Sequence, residues 1–87
     1  MSKAAEKLLE RMRLTKSGWT LDDLLKLYEG FGFKLRHGSK HDILVHPDFP
    51  SLRATVPRHT KVYKIYISEA VKLIDRLIRL QRERESE

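Results

Sequence analysis

Gly38-Ser39-Lys40-His41-Asp42-Ile43-Leu44-Val45-His46-Pro47 is the stretch that decides the fold class. It opens on a turn pair, Gly38-Ser39, runs through three aliphatic residues, two of them β-branched, and closes on a proline that cannot donate to a strand ladder. That is a short β-strand, His41 to His46, held between two turns. Reading outward, Phe33 to Arg36 precedes the first turn as a shorter mixed strand. Leu52 to Val56 follows Pro47, Asp48, Pro50 and Ser51 and is itself ended by Pro57. Three successive strands joined by short turns are predicted to pair antiparallel.

Helical spacing brackets this sheet. Ala5, Leu8, Leu9 and Met12 recur on one side of Ala4 to Met12 among charged neighbours, predicting a short amphipathic helix. Thr20 with Asp23 three residues on has the form of a capping box, followed by Leu21, Leu24, Leu25 and Tyr28 at i, i+3, i+4 and i+7; the helix should run from about Leu21 to Glu29 and stop at Gly30 and Gly32. A last helix is expected to begin near Ser68, with Glu69 in its first turn and Val71, Ile74, Leu77, Ile78 and Gln81 along a stripe, while Arg82 to Glu87, without an apolar member, should fray. The predicted class is therefore α+β, with helices on one face of an antiparallel sheet and the other face free for a ligand. Without its leading helix the order is α-β-β-β-α, that of the double-stranded-RNA-binding fold. We divide the chain into residues 1–19, an N-terminal helical extension, and 20–87, the domain proper.

The chain has 87 residues and a formal charge of +6, enough for one modest core. Between Lys34 and Lys64 stand seven basic residues, Lys34, Arg36, Lys40, Arg53, Arg58, Lys61 and Lys64, against Asp42 and Asp48, whereas the flanks are nearly neutral. All four histidines, His37, His41, His46 and His59, fall in the same stretch. A local cationic surplus gains free energy by displacing counterions from phosphate, so nucleic acid is the expected partner. The chain has no cysteine, which excludes a disulfide framework, a thiolate nucleophile and cysteine zinc sites. No metal is expected from the histidines, since none stands at i, i+4 on a helix and no carboxylates cluster with them. No apolar run is long enough to span a membrane, and the charged start has no leader pattern; the expected location is the cytoplasm, with no membrane partner and no cofactor.

Two segments carry a family resemblance: the quoted stretch from Gly38 to Pro47, and Val56-Pro57-Arg58-His59 at the end of the third strand. With Gly32-Phe33 closing the preceding helix, they resemble the HicA toxin family over about Leu21 to Thr60. In that family a Gly-Ser/Gly-x-His turn leads into a strand and a proline turn, and a Val-Pro-Arg-His-like strand end follows. The resemblance implies an endoribonuclease that cuts messenger RNA, a cognate HicB-type antitoxin, and a catalytic role for the turn histidine, His41. The chain departs from the family in its first 19 residues, in Leu44 where an aromatic is common, and in a longer, more charged last helix.

The chemistry stands beside the family. Metal-free RNA cleavage needs a base for the 2′-hydroxyl proton, an acid for the leaving 5′-oxygen, and cations at the phosphate, and imidazole titrates where both transfers operate. His41 is the predicted acid/base; His59, water or a lysine supplies the second transfer. Arg36, Lys40 and Arg58 are expected at the phosphate, and Lys61 and Lys64, interleaved with Tyr63 and Tyr66, at RNA further out. His46 is read as structural and His37 as a surface residue. Trp19, Tyr28, Phe31 and Phe33 are read as core. The competing reading is a non-catalytic RNA-binding module of double-stranded-RNA-binding shape, in which His41 is an ordinary strand residue.

Overall fold

The computed structural model describes residues 3–58 and 61–86. Its elements are α1 (Lys3–Leu14), α2 (Leu21–Gly30), β1 (Lys34–His37), β2 (Asp42–Val45), β3 (Arg53–Val56) and α3 (Lys64–Glu85). The sheet is an antiparallel meander in the order β1-β2-β3, so the α+β class and the three paired strands follow the sequence pattern.

Each element forms for a local reason. In α1, Ala5, Leu9 and Met12 are buried at i, i+4 and i+7, a helical stripe. α2 opens on the capping box: Asp23 N–H donates to the Thr20 hydroxyl at 3.2 Å and Thr20 N–H to the Asp23 carboxylate at 3.0 Å, satisfying two donors that a helix start leaves free. It ends where Gly32 takes a φ of +94°, a region closed to most side chains. A Cβ there would also stand 3.0 Å from the His46 ring.

Register assigns the sheet faces. Leu35, Leu44 and Ala54 form one cross-strand row, and Leu44, with no exposed surface, turns that face toward the helices. By alternation Arg36, Ile43 and Thr55 form a row on the opposite face. The helical side is filled by one core cluster to which α1, α2, the sheet and α3 all contribute, Met12, Leu24, Leu44 and Ile74 among its fully buried members. Phe31, Phe33 and Tyr28 are core residues as expected, and Trp19 packs against the cluster half-buried. Arg13 forms a two-pronged pair with Asp75, one bond at 2.9 Å, tying α1 to α3.

α3 differs from its predicted bounds at both ends. It starts at Lys64, with Tyr63 at the cap position and no side-chain cap bond. The reason is Ile67, fully buried, which extends the apolar stripe one turn upstream of Val71; packing outweighs the capping preference of Ser68. At the other end the helix continues to Glu85. There the Arg84 guanidinium lies 4.9 Å from the Phe49 ring centre, a cation–π contact that gives the last polar turn a tertiary partner. Among the described residues no helix is long and apolar enough to cross a membrane.

Candidate active site and cationic cleft

The β1–β2 turn is built around one close approach. Gly38 N–H donates to the His41 carbonyl at 2.9 Å, and a Cβ on residue 38 would lie 2.5 Å from that same oxygen; the turn therefore requires glycine. Ser39 and Lys40 form its exposed tip and His41, also exposed, stands immediately before β2. Among the described residues the His41 ring has no hydrogen-bonding partner, which leaves its nitrogens to a ligand.

Asp42, the first residue of β2, fixes what surrounds the turn. Its side chain is 16 % exposed and one oxygen, Oδ1, accepts from His37 Nδ1 at 3.0 Å and from Arg58 Nε at 3.1 Å. His37 faces it because the two are register partners in β1 and β2. Arg58 reaches it because Val56 lies opposite Asp42 and the buried Pro57 carries the chain out of β3 beside the turn. Arg58 also donates from Nη2 to the Gly38 carbonyl, so one guanidinium clamps the turn backbone and the strand carboxylate together. Of the five N–H donors of an arginine, these bonds use two, and the remaining three are left for an anion. The hydrogen bond from His37, and then that from Arg58, hold the Asp42 carboxyl below its ordinary range. Asp42 is thus an anion at neutral pH and takes no part as a proton donor.

His41, Lys40 and Arg58 open onto a cleft of about 870 Å³ between β3 and α3. Among the described residues lining it, Lys40, Arg53, Arg58, Lys72 and Arg76 are basic and Glu69 is acidic. Val56 and Leu73 are among its apolar lining residues, and Tyr66 lines it from the first turn of α3. The ligand-sized concavity therefore lies at the β3 edge, beside the open sheet face rather than on it.

Of the predicted site residues, the structure brings His41, Lys40 and Arg58 into this one cleft. It does not bring in Arg36, which sits on the open sheet face opposite Ile43. Lys61 pairs in an isolated bridge with Thr20 and holds its ammonium 5.3 Å from the Tyr63 ring centre; Lys64 is the exposed first residue of α3. Neither lines the cleft. His59 lies outside the described residues. His46 is buried, accepting the Asp48 N–H on Nδ1 at 3.1 Å, a structural role. His37, read as a plain surface residue, is exposed but engaged by Asp42. Sequence reading also missed Arg53, Lys72 and Arg76. The signal was present in α3, where Tyr66, Glu69, Leu73 and Arg76 recur three or four residues apart beside the buried stripe. No family model, curated protein or solved structure matches the chain.

Proposed function

We propose that the chain is a metal-independent endoribonuclease that cuts messenger RNA, the toxin of a HicA-type pair. The observation that carries this reading is the exposed imidazole of His41 in a cleft it shares with Lys40 and Arg58. In the reaction, His41 takes the 2′-hydroxyl proton of the nucleotide before the scissile bond. The 2′-oxygen attacks phosphorus, the bond from phosphorus to the 5′-oxygen breaks, and the leaving oxygen receives a proton from a second group, His59 or water. Lys40 and the three unused donors of Arg58 offset the charge that builds on the phosphoryl oxygens. The products are a 2′,3′-cyclic phosphate and a free 5′-hydroxyl.

The α-β-β-β-α part of the fold, from α2 to α3, is read as a double-stranded-RNA-binding-type domain with α1 added. Its partner is a HicB-type antitoxin that presents acidic groups to Lys40 and Arg58, and both act in the cytoplasm. One observation favours a non-catalytic RNA-binding module instead: among the described residues, the cleft holds a single imidazole. Purified protein and its His41→Ala variant, incubated with RNA in EDTA, separate the two. Cutting by the parent, with a loss of roughly 10²- to 10⁴-fold in the variant, is the expected result. RNA binding by both with cutting by neither establishes the module, and loss of the parent's cutting in EDTA overturns the metal-free mechanism.

A further inference from the structure

The cleft extends well beyond His41, and its α3 wall has no part in the proton transfers. Tyr66, Glu69, Lys72 and Arg76 line it from successive turns of one helix. From Tyr66 to Arg76 the wall runs about 15 Å at the usual rise of an α-helix. That length exceeds what one phosphate needs. Lys72 and Arg76 are i, i+4 neighbours, with Cβ atoms about 5–6 Å apart, the scale of adjacent phosphates along a strand. Tyr66 is half-buried, its ring packed against the core cluster yet lining the cleft, and so presents a fixed aromatic surface. Glu69 is the feature that a plain polyanion site would lack. It is exposed and, among the described residues, has no ion pair or hydrogen bond, although five basic residues line the same cleft.

We propose that the α3 wall is a subsite for single-stranded RNA. One base stacks on Tyr66, its exocyclic amino group donates to Glu69, and Lys72 and Arg76 hold the phosphates on either side. A cleft of about 870 Å³ lies in the range of roughly 300–1,000 Å³ that encloses a compact ligand, which suits a nucleotide or two better than the width of a duplex. Aromatic stacking combined with a basic track is how single strands are held without pairing. A carboxylate in the same cleft as the cations penalises an acidic protein or a bare phosphate polymer, and is matched best by a ligand that brings its own donor. Cytosine, adenine and guanine carry such an amino group on the edge a single strand exposes, and uracil has none. The inference takes from the proposed function only that the cleft receives RNA; it does not depend on the chemistry of His41.

The test uses the full chain and fluorescein-labelled 2′-O-methyl oligonucleotides, which no 2′-hydroxyl mechanism can cut. Anisotropy titrations with eight-residue C, A and U strands and with a blunt duplex, over a range of salt, give affinity and its salt slope. The single C and A strands are expected to bind at least several-fold tighter than U or the duplex. In Lys72→Ala/Arg76→Ala the slope should fall by about 1.4, since a single strand contributes about 0.7 per phosphate. Tyr66→Leu, which keeps an apolar side chain against the core, should weaken binding about ten-fold or more. Glu69→Gln should reduce the preference for C and A over U. An unchanged slope in the double variant, a duplex bound as well as the single strands, or no binding by the parent each overturns the proposal. A parent that binds in this pattern but never cuts unmodified RNA keeps the subsite and removes the nuclease. One that cuts while the double variant binds unchanged does the reverse.

Discussion

The strand β2 has a histidine beyond each end, and the two have opposite surroundings. At the far end His46 is 4 % exposed, its ring edge-on to Phe33 at 5.2 Å and tilted against Phe49 at 5.6 Å. Its Nδ1 is occupied by the Asp48 N–H, which makes Nε2 the protonated nitrogen. The turn it belongs to is closed by Leu52 N–H to the Phe49 carbonyl at 2.8 Å and His46 N–H to the Leu52 carbonyl at 3.1 Å. At the near end His41 is exposed, and the rigidity lies in its backbone, through Gly38, and in the neighbouring Asp42–Arg58 clamp. One turn uses imidazole as a packing unit; the other holds the backbone and leaves the imidazole open. Of the two rings only that of His41 is exposed to a ligand, on a backbone that its turn holds in place.

Substitutions at the two ends sharpen this contrast. The largest effect is expected from His41→Ala, the loss of cleavage described above, with a thermal midpoint matching the parent. A fall in stability comparable to that of a core substitution would place His41 in the scaffold instead. The mirror experiment is His46→Ala, which empties the space between Phe33 and Phe49 and should cost about 2–4 kcal/mol in urea unfolding. Its cutting per folded molecule should stay near the parent's. Loss of cutting at full stability would reverse the assignment of the two histidines.

Arg58 allows a finer division, because it both holds the turn and faces the cleft. Arg58→Ala should lower the salt slope of single-stranded RNA binding by about 0.7 and loosen the turn. Arg58→Lys should keep the slope, since the charge remains, yet lose about 1 kcal/mol of stability, since an ammonium cannot serve Asp42 and the Gly38 carbonyl as a planar fork does. Equal slopes for Arg58→Ala and the parent would remove the residue from the phosphate site.

The smallest effect is on acid stability. The folded Asp42 carboxyl titrates below its ordinary 3.8, so the unfolded chain binds the proton more readily. The contribution is complete above that value and is lost as the pH falls through the lower folded one. Asp75, lowered by its hydrogen bond to Arg13, behaves in the same way. Asp42→Asn should therefore flatten part of the decline in thermal midpoint as the pH falls below the ordinary carboxyl value of 3.8, and Asp75→Asn another part. A decline unchanged in both variants would show that neither pair matters to the folded state.

Periodicity made the elements legible. The Thr20–Asp23 capping box, the stop at Gly30 and Gly32 and the three strands are local, and local physics places them. The start of α3 was hidden because Ile67 is decided by a tertiary contact while Ser68 advertises a cap. In the site, the Gly38-to-His41 turn was readable because a glycine before a strand has few uses. Asp42 was not, since its role depends on Arg58, 16 residues away, and on a register that puts Val56 opposite. The cleft was hidden for the same reason: it is made by β3 and α3 meeting, and no single segment encodes it.

The Arg13–Asp75 pair bears on how the molecule is made. It joins positions 62 residues apart, and the apolar stripe of α1 shares a core with a helix that follows it by fifty residues. On a ribosome adding about 5–20 residues per second, α1 leaves the tunnel several seconds before α3 exists to receive it. The sheet hairpins, closed by short turns, have no such wait. During synthesis Ala5, Leu9 and Met12 therefore have only α2, the next helix in the chain, to pack against, and it is in the nascent chain, more than in the finished protein, that part of this stripe is open to other partners or to aggregation.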